Sequence, residues 1–136
     1  MTTASRTFTG PPTIDDFARM ADAALASVPP ELRAMVQGVA IRVEDFPDAA
    51  TERDMELDSP FDLLGLYVGT PFGEKSVAAA QQYTDLIFLY RRPILDYWCD
   101  SGEDLNYLVR HVLIHEIGHH FGFSDDDMEA LEEQAE

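Results

Sequence analysis

The stretch "VLIHEIGHHFGFSDDDM", Val112 to Met128, sets three histidines, a glutamate and three consecutive aspartates directly beside Val112, Leu113, Ile114 and Ile117. A solvated surface carries such polar residues, but not normally next to an apolar run. On an α-helix, positions four apart differ by about 40° around the axis and about 6 Å along it, so His115 and His119 project side by side. Two imidazoles at that spacing can grip one Zn²⁺. Glu116, one residue round the helix, can reach a water held on the same metal.

Zinc lowers the pKa of such a water to about 7, and a carboxylate can take its proton and pass it to a leaving amine. That is the chemistry of amide hydrolysis. Two histidines are half of a tetrahedral site, and a catalytic zinc needs a third protein ligand and an open position. Gly122 follows the last helical turn, where a left-handed residue ends a helix and reverses the chain, and the reversal returns Asp125 toward the metal. Adjacent carboxylates of a beginning helix diverge by about 100°, so one of Asp125, Asp126 and Asp127 should point at the ion.

His115-Glu116-x-x-His119-x-x-Gly122-x-x-Asp125 resembles the zinc motif of metzincin-type metallopeptidases, in the variant whose third ligand is Asp. With "GLYVGTPF" and "LIFLYRRPIL" upstream, residues 13 to 128 resemble the small bacterial zincin-like metallopeptidase family. The resemblance implies a minimal zincin fold: a small mixed β-sheet, a backing helix and an active-site helix. It also implies Zn²⁺ as cofactor, with His115, His119 and Asp125 as ligands and Glu116 as general base. Few residues follow Asp125 here, so little of the C-terminal subdomain of larger metzincins is expected. A carboxylate ligand in place of a third histidine should make the bound water less acidic and shift an activity optimum upward.

The other polar residues of the stretch have plainer readings. His111 lies a turn before His115, too far along the axis to be a further ligand, and reads as packed or as supporting a ligand. His120 points about 140° from His115 and reads as a structural or supporting partner. The aspartates can cap a terminal helix, "DDDMEALEEQAE". Met128 reads as a core methionine. Core packing is the default for Tyr67, Tyr83, Tyr90, Tyr97 and Tyr107, and for Cys99 as a small apolar residue.

The chain has 136 residues and is 46% hydrophobic, enough for one core. Residues 1–12 read as a flexible N-terminus and 13–136 as a single zincin-like domain. With 26 Asp+Glu against 9 Lys+Arg the formal charge is −17, which opposes nucleic-acid and anionic membrane partners and favours a neutral or cationic peptide or protein substrate. Cys99 is the one cysteine, and "MTTASRTFTGPP" has no apolar signal core. Both point to the cytoplasm.

The fold class reads as α+β. Thr13 can cap a helix over "TIDDFARMADAALASV", ended by Pro29 and Pro30. "PELRAMVQ" is a short helix and Val39 to Glu44 a half-buried strand. A helical turn is expected around Ala49 to Met55, and a strand through Leu66 and Val68. "GEKSVAAAQQYT" reads as loop and Asp85 to Tyr90 as the clearest strand, with a helix in "RPILDYWC" after it. Asp104 can cap a long helix from Leu105 to about His120. Strand order stays open. A shallow cleft is expected beside the motif helix, bordered by Asp85–Tyr90, with an extended peptide pairing to that strand's edge.

Two other functional readings compete with zinc-dependent peptide hydrolysis. One is a non-catalytic zinc-stabilised binding module; Glu116 argues against it, because structural zinc needs no such carboxylate. The other is a metal-dependent endoribonuclease of the rRNA-maturation type, which shares a His-x-x-x-His-x-x-Gly-x-x-His spacing. The acidic charge and the Glu after the first His oppose it.

Overall fold

The computed structural model of the chain describes residues 10–69 and 85–135, with the side chain of Asp125 outside that description. The expected loop at 73–84, including Tyr83, also lies outside the described residues.

Helix α1 (Ile14–Ser27) starts at a reciprocal cap. The Thr13 hydroxyl accepts from the Asp16 amide at 3.1 Å, and the Asp16 carboxylate accepts from the Thr13 amide at 2.8 Å. Just before it, the carbonyl of buried Pro12 accepts from Arg91 Nε at 2.6 Å. Phe17, Met20, Ala21 and Ala24 recur at helical spacing and are buried. The extended Val28 and the following prolines separate α1 from α2 (Pro30–Met35). Strand β1 (Val39–Glu44), α3 (Ala49–Asp54, capped by Asp48) and a 3-10 turn (Pro60–Asp62, capped by Ser59) lead to β2 (Gly65–Val68). Then come β3 (Asp85–Tyr90), α4 (Arg91–Ser101), α5 (Leu105–Phe121) and α6 (Asp125–Ala135).

The α+β architecture and its small mixed sheet are as the sequence predicts. The strand order is β1-β3-β2, with β1 parallel to β3 and β2 antiparallel to it. In register, Val39, Ile41 and Val43 lie opposite Asp85, Ile87 and Leu89, while Gly65 and Tyr67 lie opposite Leu89 and Ile87. These residues share one face of the sheet, since side chains alternate along a strand. Ile87 and Leu89 join the core with α1 and with Leu105, Val109, Val112, Leu113, Ile114 and Ile117 of α5. Among the described residues, no helix is long and apolar enough to cross a membrane.

Three expectations need correction. Strand β3 is central, and both its edges are occupied, so it offers no edge to a peptide. Its run of apolar residues feeds both faces of the sheet, which is the signature of an interior strand. Among the described residues β1 and β2 each pair on one side only. Cys99 is exposed, as are Tyr97 and Tyr107, because α4 and the first turn of α5 turn those positions away from the core.

Strand β2 lies against α5 because residue 65 has no side chain. A Cβ there would stand 2.6 Å from Val112 Cγ1 and 3.1 Å from the Phe88 carbonyl oxygen. Gly65→Ala should therefore lower stability by about 1–3 kcal/mol, read as a fall in the urea midpoint at unchanged slope. An unchanged midpoint would show that the strand has room to withdraw.

Candidate functional site

Helix α5 carries the motif. The Asp104 carboxylate accepts from the Tyr107 amide at 3.0 Å and fixes its first turn. At its other end Gly122 adopts the left-handed conformation, φ 71° and ψ 30°, and the Phe123 amide donates to the Gly118 carbonyl at 2.8 Å. This closure satisfies the last carbonyls and turns the chain back, as the position of Gly122 predicts. After the turn, Ser124 and Asp127 cap α6 reciprocally, each amide donating to the other's side chain at 3.2 Å. Asp127 is thereby committed to the helix end, and Asp126 is exposed. The backbone of Asp125 opens α6.

Most of the circumference of α5 is buried, from Leu105 and Leu108 through Ile117 and Gly118 to His120. His115 is half-buried and His119 exposed, its side chain 56% accessible. His111 stands a turn earlier, its ring centroid 4.4 Å from that of His115, a packed histidine as expected. Met128 is buried and fills the space over Gly118, where a Cβ would come within 2.6 Å of its methyl group. It has the core role read from the sequence, and it locks α6 onto α5.

Glu116 is 7% exposed, yet carries a carboxyl group. Burying it unpaired would be costly, and it is paired. Its Oε1 accepts from His119 Nδ1 at 3.0 Å, and it also accepts from the Tyr67 backbone amide. Burial pushes the carboxyl above its ordinary value, while the His119 charge, its hydrogen bond and the Tyr67 amide hold part of that rise back. A carboxyl whose proton affinity is raised in this way is a stronger base than an exposed one.

Behind these residues lies a polar group that the sequence reading left unassembled. His120 is 1% exposed, and its Nδ1 lies 3.2 Å from the Tyr67 hydroxyl and 3.4 Å from Oδ2 of Asp85, itself 2% exposed. A signal was present: Asp85 has the same parity along its strand as the core residues Ile87 and Leu89, so it had to point inward. Tyr90, also buried, has its phenol pushed up to about 12, chiefly by burial and then by the charges of Asp48, Glu44 and Glu116. It remains neutral across the physiological range. A cleft of about 220 Å³ runs along α5, lined by Leu64, Ile94, Leu108, His111 and Val112, with Tyr97, Glu103 and Tyr107 around it. It is bordered by the chain entering β2 and by α4, where the sequence predicts β3.

The donor chemistry fits a divalent metal in part. His115 and His119 share one helix face at the four-residue spacing, and with His119 Nδ1 engaged by Glu116, its Nε2 is the nitrogen left to an ion. Among the described residues no three acidic, histidine or cysteine side chains group around one point. The third donor expected from the motif, Asp125, belongs to the side chains outside the description.

A family model described as zincin-like metallopeptidase matches residues 36–135, from the end of α2 through α6. No curated protein matches the chain.

The raised carboxyl of Glu116 has a consequence for stability. A carboxyl that holds its proton more tightly in the folded state contributes stability below its ordinary value, and that contribution is lost as pH rises through the raised value. In the zinc-free chain, Glu116→Gln should therefore be more stable than the wild type at neutral pH, with the difference closing on acidification below the ordinary carboxylate range. Urea midpoints of both proteins across pH measure it; a difference that widens on acidification would contradict the assignment.

Proposed function

We propose that this chain, which belongs to the zincin-like metallopeptidase family, hydrolyses peptide bonds, with His115, His119 and Asp125 holding Zn²⁺ and Glu116 acting as general base. The observation that carries the reading is the Glu116 carboxyl, buried on the motif helix between His119 and the Tyr67 amide. A binding module stabilised by zinc has no use for a buried carboxyl that ligates nothing and costs desolvation energy.

Zinc, when bound, supplies Lewis-acid polarisation and a water acidified to about pKa 7. The chain's own residues do the rest. His115 and His119, on one helix face, would hold the ion, and the chain reversal at Gly122 supports Asp125 as the third donor. Glu116 accepts the proton of the attacking water and returns it to the departing amine nitrogen, which breaks the C–N bond without leaving an amide anion. The cleft beside His111 suits an apolar side chain of the peptide. The acidic chain favours neutral or cationic peptides over nucleic acid. The free thiol of Cys99 at the surface supports a reducing, cytoplasmic setting.

Two measurements test the assignment. Glu116→Gln should retain one equivalent of zinc and lose hydrolysis of a peptide library by about 10²–10⁴-fold, since the amide keeps the size and removes the proton acceptor. Equal turnover by both proteins rejects Glu116 as the base. Asp125→Ala should weaken zinc binding by about tenfold or more, against less than about threefold for Asp126→Ala or Asp127→Ala. Comparable losses in all three would reject Asp125 as the third ligand.

A further inference from the structure

Tyr67 meets the motif helix twice, through its backbone and through its side chain. The Tyr90 amide donates to the Leu64 carbonyl at 3.0 Å, so Leu64 and Tyr90 form a hydrogen-bonded pair across β2 and β3. Such pairs alternate in an antiparallel ladder. The amides of Leu66 and Val68 therefore point at β3, and that of Tyr67 points away from it. This outward amide is the one that Glu116 accepts. This amide makes no bond to β3; pairing at residues 66 and 68 holds the strand, and how the Tyr67 amide meets α5 depends on what fixes β2 to that helix.

The Tyr67 side chain supplies that fixation. Its ring stands edge-on to His120, centroids 5.5 Å apart, and its hydroxyl lies 3.2 Å from His120 Nδ1. The same nitrogen lies 3.4 Å from Asp85 Oδ2 on the neighbouring strand. Room for the Asp85 carboxyl comes from Gly69, where any Cβ would overlap it. The Asp85 carboxyl beside Nδ1 favours the tautomer that carries its proton there, and Tyr67 meets the same nitrogen. Three elements, β2, β3 and α5, thus converge on one imidazole that is 1% exposed. Hydrophobic contact would hold these elements together equally well, and a buried Asp–His pair is a poor source of net stability. Its specific product is the orientation of Tyr67.

We propose that Asp85, His120 and Tyr67 form a buried clamp that sets the Tyr67 backbone amide on the Glu116 carboxyl, making Asp85 and His120 positioning residues for the general base. The catalytic half of this statement rests on the peptidase reading above. The structural half does not.

The test is residue-resolved hydrogen exchange on the full chain, comparing wild type, Tyr67→Phe, His120→Leu and His120→Asn. Asn keeps a polar atom where Nδ1 stood. Tyr67→Phe and His120→Leu should each speed exchange of the residue-67 amide by about tenfold or more, while the Leu66 and Val68 amides stay within about twofold; His120→Asn should recover most of the protection. Parallel changes at all three amides, or no change at residue 67, would overturn the clamp. If His120→Leu does not fold, Tyr67→Phe decides alone. With zinc-loaded protein and dye-labelled casein, Tyr67→Phe should lower kcat by about tenfold with KM within about twofold. An unaffected kcat in a protein that does turn over would overturn the positioning role. Absence of turnover in the wild type would instead refute the peptidase reading and leave the exchange result to judge the clamp.

Discussion

Helix α5 has to be buried on nearly every side and still leave two histidines facing outward. It packs on α1, on β2 and β3, on α4 and on α6, and the rest of the molecule is arranged around that demand. The apolar positions from Leu105 to Ile117 meet α1 and the sheet, Gly118 admits Met128 of α6, and Gly65 admits β2 along the flank that carries Glu116. What remains open is the strip bearing His115 and His119, with the cleft past His111 continuing it toward the start of the helix. A small domain can present a functional helix in this way because two glycines let its neighbours approach to backbone distance.

The same crowding sets the electrostatics. Charges excluded from water must find partners in the protein, and buried Asp85, Glu116 and His120 do so across elements or along the helix. Glu116 is held between His119 and the β2 backbone, and Asp85 reaches His120 from β3. A carboxyl desolvated by burial but still bonded to two donors keeps a defined position while its proton affinity rises. Those are the properties wanted in a group that must take and return a proton at one place.

Much of this was legible in the sequence because local rules dominate there. Thr13 three residues before Asp16 announces the cap of α1, the prolines at 29 and 30 announce its end, and Val39–Glu44 and Asp85–Tyr90 are strands by alternation and by apolar run. Asp104 and Gly122 bracket the motif helix, and His115 and His119 share its face by helical period alone. What sequence spacing does not encode is which strand lies in the middle. The run Asp85–Tyr90 looked like a substrate-bearing edge until its pairing with both β1 and β2 made it the centre. Sequence does not single out Gly65 or Gly69, because the atoms that exclude a side chain there, on Val112 and Asp85, are far away in sequence. His120 could be assigned a structural role, but its partners Tyr67 and Asp85 come from two other elements and become visible only in three dimensions.

The account turns on a metal held by the exposed face of α5. X-ray absorption at the zinc edge of the loaded chain tests this most directly, with His115→Ala measured beside it. The account predicts one zinc per chain, with two imidazole nitrogens at about 2.0–2.1 Å and carboxylate or water oxygens at about 2.0–2.2 Å, and loss of one imidazole in the variant. A site without imidazole, or one unchanged by the loss of His115, would contradict it.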